Sequence, residues 1–111
     1  MKINNIVHRI RKVGYKCRIT HRRNYFDIMT GETKSFSKFE LSQNQDKEFY
    51  RLLQKGGETC VQVTSTTGKE YQSIAKCSNS DSFNRIRGYL IGLGRVIKKM
   101  KQEEGFDETK I

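Results

Sequence analysis

A long amphipathic helix near the C-terminus limits the folds that this chain can adopt. Between residues 83 and 100, apolar side chains recur at helical spacing and project onto one broad stripe. The stripe consists of Phe83, Ile86, Tyr89, Leu90, Leu93, Val96, Ile97 and Met100. Ser80 is expected to cap this helix, with Asp81 in the first turn and the end near Gln102. We expect the stripe to be the core face of the helix.

The N-terminal third of the chain predicts one helix and up to three strands. An apolar stripe indicates a short helix that ends at Gly14. Its members are Ile3, Ile6, Val7, Ile10 and Val13. Residues 15–19 then alternate between apolar and polar side chains, which is typical of a half-buried strand. After a turn at residues 21–24, segments 25–29 and 33–39 are expected to form two more strands.

A β-hairpin is predicted in the second half of the chain. Segments 59–65 and 70–77 are rich in residues that favour strands, and a turn signal lies between them at residues 67–68. Centring the turn there places Val61 opposite Ile74, so both side chains are expected on the apolar face of the hairpin.

Ser42 and Gln45 resemble a capping box and predict a further helix that ends at residues 56–57. The order of elements is therefore α-β-β-(β)-α-β-β-α, which lacks the β-α-β alternation of a parallel doubly wound sheet. We predict an α+β fold: a single domain with an antiparallel sheet of about four to five strands and helices packed on it. The domain is expected to cover residues 1–102, followed by an acidic flexible tail at residues 103–111.

The charge of the chain is strongly positive and unevenly distributed. Lys and Arg number 22 against 12 Asp and Glu, which gives a net charge of +10 over 111 residues. Residues 1–26 hold eight basic residues and no acid, and residues 61–102 hold eight against two. This excess indicates a polyanionic partner. No apolar run reaches the length of a membrane span and no apolar signal segment follows Met1, so we expect a cytoplasmic protein without membrane association.

The sequence contains no pattern typical of a catalytic or metal site. Cys17, Cys60 and Cys77 are odd in number and far apart, which favours reduced thiols over a disulfide scaffold or a zinc site. Acids that might hold a nuclease metal are isolated, and no phosphate-binding glycine motif is present. We therefore expect no cofactor, no metal and no catalytic residue.

Gly88 and Gly92 lie off the apolar stripe of the last helix, on the side that carries Arg95 and Lys99. Each glycine costs about 1 kcal/mol of helix stability relative to alanine, so their presence calls for a reason. Two interpretations stay open. Either this side contacts a phosphate backbone or a partner's helix, or another element of this protein, such as the N-terminal helix, packs on it.

Residues 75–95 carry a loose signature, in which an Ala-x-Cys strand leads into a helix with Asp-x-Phe-Asn, a glycine and a later Leu-x-Arg. The residues are Ala75, Cys77, Asp81, Phe83, Asn84, Gly88, Leu93 and Arg95. This segment resembles the C-terminal part of small, uncharacterised accessory proteins of bacteriophages and mobile elements, although Val96 replaces their usual small residue. The resemblance implies a protein of the bacterial host cytoplasm and assigns no catalytic role.

The basic segments interleave cations with the rings of Tyr15, Tyr25 and Phe26, a combination suited to phosphates and stacked bases. We therefore predict a small accessory protein that binds DNA or RNA without catalysis, mainly through electrostatic contacts. The residues expected to contact the nucleic acid or another partner are Arg9, Arg11, Lys12, Arg18, Arg22, Arg23, Arg85, Gly88, Gly92, Arg95 and Lys99.

A second hypothesis is an anti-defence inhibitor of the anti-CRISPR type. Such a protein would dock on a host nucleoprotein complex or on an acidic protein surface, and the basic, glycine-bearing side of the last helix suits either partner. Ile91 lies isolated among the polar positions of that helix, which makes a homodimer through this region a further hypothesis.

Overall fold

The structure is a computed structural model that describes residues 3–105, without the side chains of residues 3–6 and 104. The elements are α1 (Ile3–Lys12), β1 (Lys16–Asp27), β2 (Thr33–Ser37), α2 (Lys38–Ser42), a 3₁₀ turn (Lys47–Phe49), β3 (Tyr50–Leu52), β4 (Lys55–Thr64), β5 (Glu70–Ser82) and α3 (Arg85–Glu104). All strand pairs are antiparallel. The predicted α+β class is confirmed, with five strands in one sheet and helices packed on it.

The sheet is built around β1, the long strand at its centre. The strand order is β2-β1-β4-β5, and β3 pairs with the last three residues of β1. Because β2 occupies one edge of β1 at residues 22–26, β3 lies on the other edge, in line with β4. The first half of β1 pairs with β4 and places Cys17 beside Val63. The second half of β1 is held between β2 and β3.

The core lies between one face of the sheet and the helices α1 and α3. Its fully or nearly fully buried members are Val7 and Ile10 of α1, Cys17, Val61, Val63 and Tyr71 of the sheet, and Leu93, Val96, Ile97 and Met100 of α3. Each buried aliphatic side chain contributes about 1.5–3 kcal/mol to the free energy of unfolding. We refer to this side of the sheet as the helix side and to the opposite side as the open side.

The apolar stripe predicted for α3 is confirmed only in its C-terminal half. Leu93, Val96 and Met100 are buried, whereas Ile86 is 66% exposed and Leu90 is 49% exposed. The helix is rotated about its axis from the predicted orientation, so the side that carries the glycines approaches the sheet. Ile86 and Leu90 consequently lie on a flank of α3 that no other described element buries.

The glycines of α3 explain this rotation and correct two predicted contact residues. A Cβ at Gly92 would lie 2.7 Å from Cγ2 of Val61, and a Cβ at Gly88 would collide with Thr59. Real Cβ atoms do not approach other atoms so closely, so only glycine lets the helix backbone rest on β4. Gly88 and Gly92 therefore pack inside this protein, against its own sheet rather than against the N-terminal helix, and they do not form a surface for a partner.

The β4–β5 hairpin is confirmed, but its predicted register was wrong by one residue. Val61 pairs with Ser73 and Cys60 with Ile74. The turn holds five residues between Thr64 and Glu70, and its backbone is closed by a hydrogen bond from the Ser65 amide to the Lys69 carbonyl (2.8 Å). Because a shift of one residue exchanges the two faces of a strand, Ile74 lies on the open side and not in the core.

Two other predicted elements were wrong. Residues 21–24 form no turn, and β1 runs without a break from Lys16 to Asp27. The helix predicted from residues 42 to 57 is replaced by the 3₁₀ turn and β3. The capping box belongs instead to α2, where Ser37 accepts a hydrogen bond from the Glu40 amide and Glu40 accepts one from the Ser37 amide.

The C-terminal helix begins later than predicted. β5 continues through Ser82, and Asn84 caps α3 by accepting a hydrogen bond from the Arg87 amide (3.0 Å). The helix continues through Glu104, and Glu103 pairs with Lys69 at 2.7 Å. The remainder of the predicted tail, residues 106–111, lies outside the described residues. Among the helices within residues 3–105, none has the length and apolar character needed to cross a membrane.

The close contact between α3 and β4 predicts opposite effects for two neighbouring glycines. Gly92→Ala should lower the free energy of unfolding by about 1–3 kcal/mol, because the new methyl group forces α3 away from Val61. Gly94→Ala is the matched control, since a Cβ at Gly94 meets nothing within 4 Å, and it should raise the free energy of unfolding by up to about 1 kcal/mol. Urea denaturation of both variants measures the difference. Equal effects would show that α3 does not rest on β4 through Gly92.

Candidate functional site

The helices cover only part of the helix side of the sheet. Strand alternation places His21, Arg23, Tyr25 and Asp27 of β1 on the same side as the buried Cys17. This part of β1 lies beyond the core residues, beside β2, β3 and the first turns of α3. We call its helix-side surface, formed by residues 21–27 of β1 together with β2 and β3, the uncovered half-face.

Three aromatic rings cross the uncovered half-face. The ring centroid of Phe36 on β2 lies 5.9 Å from that of Tyr25 and 5.0 Å from that of Tyr50 on β3. Register explains the grouping, because Phe36 pairs with Arg23 and Tyr50 with Asp27, both on the helix side. All three side chains are half-buried. We call Tyr25, Phe36 and Tyr50 the aromatic strip.

A second group of rings and cations lies next to the strip. The guanidinium of Arg23 lies 4.6 Å from the ring centroid of Phe83, and His21 meets the same ring edge-on at 5.8 Å. Phe83 is seated against Gly57, where a Cβ would lie 2.8 Å from its ring. A cation over an exposed ring contributes about 0.5–1 kcal/mol. This arrangement holds the charge of Arg23 at the surface of the half-face.

The first turns of α3 form the wall of this region. A small cavity of about 200 Å³ lies between β1 and α3, lined by Ile19, His21, Arg85, Ile86 and Tyr89. Its volume is below the 300–1,000 Å³ of pockets that enclose drug-sized molecules. It is therefore too small to enclose an entire small-molecule ligand.

Within residues 3–105, the helix-side positions of β1, β2 and β3 contain one carboxylate, Asp27. Burial alone raises the pKa of Asp27, but hydrogen bonds from Met29, Thr30 and Lys34 outweigh burial and lower this pKa below its ordinary value. Lys34 Nζ lies 3.4 Å from the carboxylate and 5.7 Å from the ring centroid of Tyr50. The single negative charge of this surface is thus neutralised.

Arg23 and Arg85 have no carboxylate partner among the described residues. Arg23 makes one long hydrogen bond, from Nη2 to the Leu53 carbonyl at 3.4 Å, and its buried Nε has no hydrogen-bond partner. Arg85 is exposed on the first turn of α3. Two cations without internal counter-ions therefore border the aromatic strip, which gives the half-face a positive potential.

The pKa of His21 is sensitive to this positive potential. Its Nδ1 lies 2.8 Å from Oγ1 of Thr59, with which it shares a hydrogen bond. Partial burial lowers the pKa of His21 below its ordinary value, and the charges of Arg85 and Arg23 lower the pKa further. The neutral imidazole is therefore the form favoured at neutral pH.

Arg18 and Arg22, two predicted contact residues, lie on the open side of the sheet. Arg22 makes ion pairs with Glu40 at 2.9 Å and with Glu58 at 3.8 Å, and it donates a hydrogen bond to the Ser35 carbonyl at 3.0 Å. Its charge is therefore used within the protein. Arg18 is exposed on the neighbouring part of β1.

Arg95 and Lys99 of α3 donate hydrogen bonds to the outer edge of the sheet, and both were predicted contact residues. Arg95 Nη1 donates a hydrogen bond to the Ile74 carbonyl at 3.1 Å, and Lys99 Nζ donates one to the Gln72 carbonyl at 2.6 Å. Both carbonyls belong to β5, the last strand in the order. Unpaired edges invite aggregation, and charged side chains on an edge oppose it.

The three predicted contact residues of α1 lie in different environments. Arg11 donates a hydrogen bond to the Cys17 carbonyl at 3.1 Å, which brings its guanidinium close to Tyr89, at the rim of the uncovered half-face. Lys12 is exposed, and Arg9 is half-buried. The structure therefore brings Arg23 and Arg85 to the half-face, places Arg11 near Tyr89 and disperses the other predicted cations.

Sequence reasoning missed most of the aromatic strip. Phe36 lies in the strand that was expected to pair back on the strand of Tyr25, but Tyr50 lies in a segment predicted as a helix and could not be placed beside them. Phe26, grouped with Tyr25 by proximity in the sequence, points to the open side of β1 instead. Strict alternation along one continuous β1 would have separated these two rings.

Within residues 3–105, no three His, Cys, Asp or Glu side chains form a group that could hold a metal ion. Comparisons with protein-family models, with curated proteins and with solved structures find no match to this chain. The site is therefore interpreted from its own geometry.

The contacts of His21 predict a pH effect with a defined sign. The imidazole should titrate below about 6.5 in the folded protein. As pH falls through this range, the unfolded state binds the proton first, so the free energy of unfolding should decrease. NMR titration of the imidazole resonances measures the pKa directly. Arg85→Gln removes one of the two neighbouring charges and should raise the pKa of His21; a pKa that stays constant would show that Arg85 does not act on His21.

Proposed function

We propose that this protein binds nucleic acid without catalysis, through the uncovered half-face. One observation carries the proposal: among residues 3–105, Arg23 and Arg85 meet no carboxylate and border an aromatic strip on a surface whose one carboxylate, Asp27, is paired with Lys34. Cations attract phosphates, and rings accept bases by stacking.

The overall charge supports a polyanionic partner of this kind. A net charge of +10 on 111 residues exceeds the magnitude of about 2–8 that keeps a small domain soluble. Cations dispersed over α1, the open side and the outer face of α3 would attract the same partner over a longer range, within the Debye length of about 8–10 Å. The half-face then provides the short-range contacts.

The number of cations in the half-face sets the expected salt dependence. Arg23 and Arg85, with Arg11 at the rim, correspond to two or three phosphates neutralised. For a single strand this predicts a slope of about −1.5 to −2 in a plot of log affinity against log salt. Binding through phosphates and ring stacking should depend weakly on base sequence.

The proposal predicts a difference between two arginines on the same helix. Arg85 faces β1 and His21, whereas Arg87, two residues along α3, lines a separate cavity near Ser82 and Ile91. Arg85→Ala should weaken binding roughly 3- to 10-fold at low salt and reduce the salt slope by about one phosphate. Arg87→Ala should leave both nearly unchanged.

Fluorescence anisotropy of labelled single-stranded DNA, single-stranded RNA and duplex DNA, across a salt series, provides the measurement. Circular dichroism establishes that both variants keep the fold. Equal losses for Arg85→Ala and Arg87→Ala would place the contact elsewhere on the basic surface. No binding of any probe at low salt by the unaltered protein would overturn the proposal.

A protein partner is the second candidate, and the exposed apolar flank of α3 favours it. Ile86 and Leu90 are 66% and 49% exposed and lie beside Arg85. An inhibitor that docks on a nucleoprotein complex would use this flank together with the cations. Leu90→Ser should then abolish capture of such a complex, while the affinity for free oligonucleotides stays the same.

A further inference from the structure

We propose that the uncovered half-face accepts a single strand and not a duplex, with bases stacked on the aromatic strip and phosphates beside Arg23 and Arg85. This inference rests on the proposed function and specifies the form of nucleic acid that the surface takes.

The geometry of the strip leaves ring faces available. The planes of Tyr25 and Phe36 are inclined at 52°, and those of Phe36 and Tyr50 at 56°. Rings at such angles do not stack face to face on one another, and one face of Tyr50 is already taken by the Lys34 ammonium. All three are half-buried by the sheet beneath them, which holds the rings in place before a base arrives and reduces the entropy lost on binding.

The position of the two arginines suits the sugar–phosphate backbone of one nucleic-acid strand. Arg23 is held over Phe83 at 4.6 Å, on the side of the strip nearer to α3, and Arg85 rises from the first turn of α3 on that same side. A strand that runs past both arginines turns its bases toward Tyr25 and the rings beyond it. Residues 21–25 extend over about 13 Å at about 3.3 Å per residue, which is enough for about two nucleotides, and Asp27 beyond them is buried.

A duplex cannot use the same surface. Its bases are already stacked and paired, so its ring faces are hidden, and it presents phosphates and sugars to a protein surface. Against a duplex the aromatic strip would lie under the sugar–phosphate backbone and gain no stacking. The neutral state of His21 and the Asp27–Lys34 pair leave Arg23 and Arg85 as the charged contacts beside the strip, so a duplex would gain charge contacts there without stacking.

Three probes with defined phosphate content separate stacking from charge. They are a ten-nucleotide single strand, the same strand with its four central bases removed to leave abasic sites, and the corresponding duplex. The intact strand should bind about 5- to 100-fold more tightly than the abasic strand, because only the bases differ between the two. It should also bind more tightly than the duplex. The comparison is made with DNA and with RNA; tighter binding of the intact strand in either series supports the proposal.

Two adjacent rings on opposite sides of β1 provide a matched pair of variants. Tyr25→Leu removes a ring of the strip and should reduce the difference between the intact and abasic strands. Phe26→Leu removes a 39% exposed ring on the open side and should leave this difference unchanged. Phe36→Leu serves as a second test if Tyr25→Leu does not fold by circular dichroism. A 2-aminopurine base in the strand should lose fluorescence on binding to the unaltered protein and to Phe26→Leu, and lose less on binding to Tyr25→Leu.

Failure of this inference is distinct from failure of the proposed function. If intact, abasic and duplex probes bind equally, or if the duplex binds best, the single-strand inference is overturned while nucleic-acid binding stands. If no probe binds at low salt, both are overturned. Equal fluorescence quenching with Tyr25→Leu and Phe26→Leu would overturn stacking on the strip even where the single strand is preferred.

Discussion

The contact between the glycines of α3 and strand β4 determines how the rest of the molecule is arranged. Gly88 rests on Thr59 and Gly92 on Val61, at distances that exclude any larger side chain. This approach turns Leu93, Val96 and Met100 into the core and brings Arg95 and Lys99 to the carbonyls of the β5 edge. It also turns Ile86 and Leu90 away from the core. The exposed flank of α3 and the protected edge of the sheet are two consequences of the same contact.

The candidate site is exposed because α1 and α3 cover only part of the helix side of the sheet. α3 lies along β4 and β5, and α1 covers only the beginning of β1. The second half of β1, with β2 and β3, is therefore left without a helix. This surface carries rings and two arginines that meet no carboxylate among residues 3–105, and Asp27 on it is paired with Lys34. Rings that can stack on bases lie beside cations that attract phosphates, and this combination is the physical basis of the proposed function.

Sequence patterns predicted the elements whose signals are local. The helical spacing of Leu93, Val96 and Met100, the alternation through Cys17 and the presence of a β4–β5 hairpin all correspond to the structure. The failures concern relations between elements. The register of the hairpin depends on how many residues its turn holds, and the orientation of α3 depends on which side can approach Val61. Phe36 and Tyr50 could not be assigned to one surface, since their grouping requires the strand order around β1.

The sequence by itself determined the net charge of +10, the α+β class and the residues that can act as cations or stacking rings. The net charge depends only on composition and the fold class follows from local periodicity, so neither requires knowledge of contacts between distant residues. Only the tertiary structure decided which cations are available. Arg22 is paired with Glu40 and Glu58, whereas Arg23 and Arg85 meet no carboxylate among the described residues. A charge is free or paired according to what lies within a few ångströms of it, and those neighbours come from distant parts of the chain.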